Sequence, residues 1–452
     1  MGIESLNTYT PIYPSSAFVN PSFSVNTFSR ANNNQYVLVK SPEEKYVRMT
    51  KEEFIRWINS QQNKPSSEPA NPYELGPERG GKRVIDIDNV TEPLHPGSSA
   101  PKDHSCPPDK IEEYENNILN GNGEINDFRQ GKRGDCYLLS TIESIRLAKD
   151  GENILSKNYK KNFDGSYTVI LPGAIAARNH YIEQGNGDKC AITGQYTITA
   201  AAIEKAQKFS GMSYAYGDLE VIILELAMEA FRAEVNETNK ALGQQSEKYI
   251  AGQFGPMSSS DTLSGGQMYD AVFILTGQKS DIYEAPKEKR SKAKLYIPGE
   301  YGYVGYKKSE KRLGVGASRD KIVEVNNIYD KDSDLQRMLD SYKGREDEYT
   351  ITVGVIVAKN GPDGSTKAGG GHALTVKKIT DDYVEVVNPW DTTKAERIPR
   401  GDFEKMAMHL NVAPISNESS DKFFEENNIQ NLENENLLAD NPITRLLTFL
   451  FS

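Results

Sequence analysis

The stretch at 130–139, Gln-Gly-Lys-Arg-Gly-Asp-Cys-Tyr-Leu-Leu, constrains this chain more than any other. Gly131 and Gly134 permit tight or left-handed turns, and from Cys136 the pattern is apolar and helix-compatible as far as Leu147. Cys136 is therefore expected where a loop becomes a helix. There its thiolate, the attacking form of cysteine, would meet the positive end of a helix dipole. First-turn N–H groups, together with the side-chain amide of Gln130, would serve as oxyanion donors.

A cysteine nucleophile also needs a base and a group that orients the base, normally from distant parts of the chain. His372 stands in Gly-Gly-Gly-His-Ala-Leu-Thr-Val (369–376), where glycines lead into an alternating strand. Asn388 stands in Val-Val-Asn-Pro-Trp (386–390), at the end of the next strand-like run. Its amide oxygen can accept from an imidazole and fix the tautomer, with Trp390 covering that bond from water. Cys106 and Cys190 have no comparable setting and read as bystanders.

Gln-Gly-x-x-Gly-Asp-Cys-aromatic-Leu-Leu, then Gly-His-Ala-x-x-Val, then Asn-Pro-Trp, in this order and about this far apart, resemble the protease core of the calpain family. The resemblance covers about 109–412 and is closest to a compact microbial member. It implies an α+β, papain-like fold, with a helical first half, an antiparallel β-rich second half and the active cleft between them. It also implies a cysteine endopeptidase with a Cys136–His372–Asn388 triad and Gln130 at the oxyanion position. Leu-Ser-Gly-Gly at 263–266 matches a family stretch that presents backbone to substrate, so Gly266 is expected to be a substrate contact or else a packing glycine. Gly371 and Trp390, beside the histidine and the asparagine, are expected at the substrate as well.

Members of that family are commonly switched by calcium bound within each half, although the chemistry itself requires no cofactor. Asp127, three residues before Gln130, and Asp218, seven before Glu225, match ligand positions of the first half, which makes Ca2+ a regulator to test. In the second half the family's Asn-Pro-Trp-Gly becomes Asn-Pro-Trp-Asp391, and Lys394 stands where the family has a carboxylate ligand. A second calcium site is not expected.

The 452 residues have room for two or three domains, and 26% charged against 37% apolar residues describe a polar globular protein with some unstructured segments. A net charge of -11 argues against nucleic acid as a partner, and protein or peptide substrates suit it better. Three cysteines make no disulfide framework, and His95, His104 and Cys106 lack the paired spacing of a zinc site. No signal peptide and no run of ~20 apolar residues is visible, so a membrane span is not expected and a cytoplasmic location is favoured.

Four segments follow. Residues 1–108 read as an arm (1–45), a short helix opened by the capping box Thr-Lys-Glu-Glu (50–53), and a Pro/Gly/Ser-rich stretch (65–108) that is either a linker or a leader open to removal by the enzyme itself. Residues 109–285 form a first subdomain around Cys136, with helices through 111–119, 136–147, 219–231 and 264–276 and strands at 167–171 and 180–183. Residues 286–412 form a second subdomain, with strands at 294–298, 303–307, 349–358, 373–379 and 383–387 and one helix at 333–342. The basic stretch 287–294 reads as a solvated loop or a self-processing site, and 413–452 as an acidic, Asn-rich flexible tail. Two other classes compete: a binding protein whose cleft is plugged by leader or tail, and another acyl transferase such as a transglutaminase, which would carry Asp where Asn388 stands.

Overall fold

The computed structural model describes residues 24–31, 34–40, 46–50, 83–92, 108–243, 263–285, 290–297, 321–329, 333–360, 366–429 and 432. They belong to two compact units. In the first, which includes residues 1–74, strands β1 (Ser24–Ala31), β2 (Asn34–Lys40) and β3 (Tyr46–Thr50) pair as an antiparallel meander. The expected unpatterned arm is thus partly sheet. Its Tyr36-Val-Leu-Val39 run carries aromatic and β-branched residues suited to a pleated surface. The helix expected after Thr50 lies outside the described residues.

The second unit, 75–160 with 167–431, contains two hydrophobic cores. Around the first stand α1 (Ile111–Asn120), α2 (Cys136–Leu147), α3 (Gly151–Ser156), α4 (Pro172–Glu183), α5 (Ala200–Lys208), α6 (Leu219–Ala241) and α7 (Met268–Thr276). Four short strands accompany them: β4 (Arg83–Ile85), β5 (Tyr159–Lys161), β6 (Tyr167–Ile170) and β7 (Gln195–Ile198), in the sheet order β4-β7-β6-β5. Strand β4 corrects the reading of 65–108 as a leader throughout. It pairs in parallel with β7, buries Ile85, and ties Arg83 to the buried Glu234 at 2.8 Å.

Residues 180–183 are helix, not strand. Pro172 takes the first position of α4, where its fixed φ is pre-organised and its missing N–H costs nothing. The apparent alternation there is the edge of a helical face, with Tyr181 buried and Ile182 exposed. Helix α1 likewise buries Tyr114 and Ile118 and leaves Ile111 and Leu119 in solvent.

The second core is built on β8 (Asp281–Glu284), β9 (Arg290–Ile297), β10 (Lys321–Tyr329), β11 (Tyr349–Asn360), β12 (Thr366–Ile379), β13 (Tyr383–Asn388), β14 (Asp391–Pro399) and β15 (Ala407–Pro414). Six run β14-β13-β12-β11-β15-β8, all antiparallel, while β10 pairs in parallel with β12 and antiparallel with β9. Helix α8 (Ser333–Tyr342) buries Leu335 and Leu339, and α9 (Arg400–Met406) buries Phe403 and Met406. Residues 290–294 of the basic stretch lie in β9, whereas 287–289 and 303–307 lie outside the described residues.

The tail is not flexible throughout. Ser416 caps α10 (Asn417–Glu426) by accepting from the Ser419 N–H, Phe424 is buried, and Phe423 meets Phe273 edge-on. Two aromatic residues on one face outweigh the acidic composition that marks the segment as a tail. The chain is thus of mixed α and β structure, helix-rich around its first core and antiparallel-rich around its second. No helix among the described residues is long and apolar enough to cross a membrane.

Candidate active site

Cys136 is the first residue of α2. The approach to it is tight: a side chain at Gly131 would put its Cβ 2.5 Å from the Tyr214 carbonyl oxygen. The Asp135 carbonyl accepts from the Leu138 and Leu139 N–H groups at 2.9 and 3.1 Å, which starts the helix at the cysteine. Helix α2 is then buried from Tyr137 to Ile145 and pinned to the sheet of the second core. Thr375 Oγ1 donates to the Ser140 carbonyl at 2.6 Å, and the Ile351 N–H donates to Ser144 Oγ at 2.7 Å. The nucleophile candidate is thereby held against β12, the strand that carries His372.

The main chain of Ala373, the residue after His372, is among the groups that act on the Cys136 sulfur. Burial nonetheless pushes the Cys136 thiol up to about 11, against the lowering effect of main-chain hydrogen bonds from Ala373, Tyr137 and Cys136 itself. The negative charge of Asp135 adds to the rise. Helix-end stabilisation operates as the sequence suggests, and desolvation exceeds it.

His372, Asn388 and Trp390 meet around the two-residue turn between β13 and β14, where Asn388 pairs with Asp391. His372 Nε2 lies 3.0 Å from Asn388 Oδ1, and the Trp390 N–H donates to the same oxygen at 3.0 Å. A main-chain N–H can only donate, so the atom it reaches must be the amide oxygen. That oxygen can only accept, so Nε2 must carry a proton. In the neutral ring the lone pair is then on Nδ1, which makes Nδ1 the basic atom. The Trp390 ring lies over the imidazole at 4.5 Å between centroids, and His372 and Asn388 are both buried. Gly371 precedes His372 in β12, opposite Ile356.

Gln130 is buried, and its main-chain N–H donates to the Pro389 carbonyl at 2.7 Å. Its side chain turns inward, with Nε2 bonded to the Arg133 carbonyl at 2.7 Å and to Asp135 Oδ1 at 3.0 Å. Gln130 thus braces the cysteine loop in this arrangement. Gly266 has a packing reason to be glycine: an added Cβ would fall 2.6–2.8 Å from the Tyr137 ring, which Arg232 anchors by a 2.7 Å bond to the hydroxyl. The same stretch pairs with the cysteine loop, through Gly265 N–H to the Gly134 carbonyl at 2.9 Å and Gly134 N–H to Ser264 Oγ at 3.1 Å.

The two carboxylates expected at a calcium ion are separately engaged. Asp127 accepts from Arg146 Nη2 at 3.1 Å and lies 4.0 Å from Lys110 Nζ. Asp218 caps α6 by accepting from the Val221 N–H at 2.9 Å, and its other oxygen accepts from the Asn126 N–H and Nδ2 at 2.8 and 3.0 Å. Calcium needs several converging oxygens, and here cations and amide donors occupy them. Among the described residues no group of three or more Asp, Glu, His or Cys side chains could hold a metal ion. In this arrangement the carboxylate oxygens of Asp127 and Asp218 are taken up by these donors.

Sequence reasoning missed the buried charges beneath the loop. Asp135 faces Glu225 of α6 in the interior, and burial raises both carboxyls above the usual carboxylate range. Next to them, Arg133 forms a two-pronged pair with Glu229 at 2.8 and 2.9 Å. Glutamates at 220, 225, 229 and 234 within an otherwise apolar helix were the available signal, since such residues are buried only when partnered. The Arg129–Asp391 ion pair, at 2.8 Å and 2% exposure on each side, left no such signal, because its members are 262 residues apart. Against models of known protein families the chain finds no match, and no curated protein matches it in sequence.

Proposed function

We propose that this chain is a cysteine endopeptidase with a calpain-like, papain-type core. The observation that carries the reading is the hydrogen-bond chain Trp390 N–H to Asn388 Oδ1 to His372 Nε2–H, with His372 buried on β12, the strand to which the helix that begins at Cys136 is pinned. It leaves Nδ1 as the atom able to take a proton from a thiol.

In the proposed reaction, Nδ1 accepts the Cys136 proton and the sulfur attacks the scissile carbonyl carbon. The oxyanion that forms draws on the Cys136 N–H at the start of α2 and on the Gln130 amide, once that amide leaves the Arg133 carbonyl. The imidazolium then protonates the departing amine, and water, deprotonated by Nδ1, releases the acyl group from sulfur. Asn388 keeps the ring in one tautomer throughout, and Trp390 keeps water from its acceptor. The chain's own leader and the basic stretch 287–294 are substrates to test first, by intact mass.

One arrangement favours a second reading, a binding protein on this scaffold: the thiol pushed up to about 11 and the inward-turned Gln130 amide describe a resting site. A single experiment separates the two. Purified chain, incubated with fluorescein-labelled casein and with a thiol-directed epoxide, should cleave the casein and take up one epoxide per chain at Cys136, and Cys136→Ala should do neither. Folded wild type that leaves casein intact and Cys136 unlabelled would sink the protease and leave the binding protein.

A further inference from the structure

The segment leading to Cys136 and the turn carrying Asn388 are stitched together residue by residue. Thr392 N–H and Oγ1 both donate to the Phe128 carbonyl, at 3.2 and 2.9 Å, and the Phe128 N–H donates to Thr392 Oγ1 at 2.8 Å. Two residues on, the Gln130 N–H donates to the Pro389 carbonyl at 2.7 Å. Between these seams the side chains of Arg129 and Asp391 form the 2.8 Å ion pair, almost fully enclosed. On its outer side the Arg129 backbone pairs with Tyr216 in both directions, at 2.7 and 2.8 Å, so the segment cannot shift alone. Asp391 Oδ1 also accepts from Thr393 Oγ1 at 2.6 Å, and Lys394 Nζ stands 3.9 Å from Oδ2.

A buried ion pair contributes little net stability compared with an apolar pair of the same shape, because both charges lose their hydration. It does add direction, since a planar guanidinium held in the interior meets a carboxylate in few orientations. Arg129 immediately precedes Gln130, and Asp391 immediately follows Trp390. A slip of one residue at this pair would carry the oxyanion loop out of line with the His372–Asn388 couple.

We propose that Arg129 and Asp391 are positioning residues, whose ion pair registers the Cys136 loop against the Asn388 turn. The proposal rests on the protease reading and extends it to regulation: alignment needs no calcium. It accords with the family glycine being replaced by Asp391 and with Arg146 and Lys110 occupying Asp127.

The test uses the full chain and two readouts, inactivation of Cys136 by a thiol-directed epoxide, located by peptide mass spectrometry, and casein cleavage with and without calcium. For Asp391→Asn, folded by circular dichroism, the inactivation rate and kcat should each fall about 100-fold, with KM within about threefold, as for a misplacement near 1 Å. Calcium should change neither wild type nor variant. Arg129→Lys keeps the charge, gives up the planar guanidinium, and should fall in the same direction. Both variants within threefold of wild type, or calcium restoring either, would overturn the proposal. Should neither variant fold, the pair is a folding determinant and the assignment is likewise overturned. Asn388→Ala runs alongside: a wild type that neither cleaves casein nor takes up epoxide removes the protease reading itself, whereas an active wild type, a slow Asn388→Ala and a fast Asp391→Asn remove only the positioning role.

Discussion

Replacing Asn388 by alanine takes the acceptor away from two donors at once, the His372 Nε2–H and the Trp390 N–H, each 3.0 Å from Oδ1. Asn388 is 2% exposed, so water does not simply replace the oxygen. One buried donor left unpaired costs about 1–3 kcal/mol, and two, partly relaxed, about 2–4 kcal/mol of stability. The catalytic effect is separate. Without an acceptor at Nε2 the neutral ring can hold its proton on either nitrogen and rotate, so kcat should fall about 100-fold or more, close to 3 kcal/mol of barrier. Asn388→Asp keeps an acceptor for both donors and should restore most of the stability. Its carboxylate favours the imidazolium, so the acid limb of the pH–rate profile should move to higher pH. Urea melts followed by fluorescence, and casein hydrolysis across pH 5–9, measure the two effects. Should Asn388→Ala match wild type within twofold in hydrolysis while Cys136→Ala is dead, the tautomer derived from the Trp390 contact does no catalytic work and the reasoning fails.

Three further outcomes can be checked. Burial raises the folded Cys136 thiol from 9.0 to about 11, so the folded chain holds a proton that the unfolded chain loses, and this contribution to stability is lost as pH rises through that window. Subtracting the Cys136→Ala stability curve from wild type should expose a fall of about 2–3 kcal/mol between pH 8 and 11, and a flat difference would contradict the enclosed sulfur. Glu225→Gln mimics the protonated carboxyl that faces Asp135. Because burial raises the folded carboxyl, wild type should lose stability relative to this variant as pH climbs above about 4.5, and guanidinium melts at pH 4 and 7 would reveal the opposite slope if Glu225 were ionised. Gly266→Ala forces a methyl against the anchored Tyr137 ring and should cost about 1–3 kcal/mol in a thermal melt, whereas an unchanged melt with a raised KM would make Gly266 a substrate contact alone.

Local pattern was enough for the elements that hold the site. The apolar run after Cys136 is the helix Cys136–Leu147, the run from Leu219 is a buried helix, and the alternating segments around His372 and Asn388 are neighbouring strands. Each of these signals lies within one turn or one strand of chain, so composition and spacing carry it. Errors arose where a local signal was weaker than its partner elsewhere. Arg83–Ile85, set in a Pro- and Gly-rich stretch, is a strand because β7 offers it an edge, and the acidic segment after Ser416 is a helix because Phe273 receives its aromatic face.

The sequence by itself determined which side chains are available for chemistry and on which elements they stand, because helix and strand periodicity depend on near neighbours alone. Only the tertiary structure decided their states. It buried the Cys136 sulfur enough to raise it, turned Gln130 inward, gave His372 its tautomer through a main-chain N–H, and joined Arg129 to Asp391 across 262 residues. Desolvation and hydrogen-bond direction depend on everything that surrounds an atom, and for these atoms most of the surroundings come from the far end of the chain.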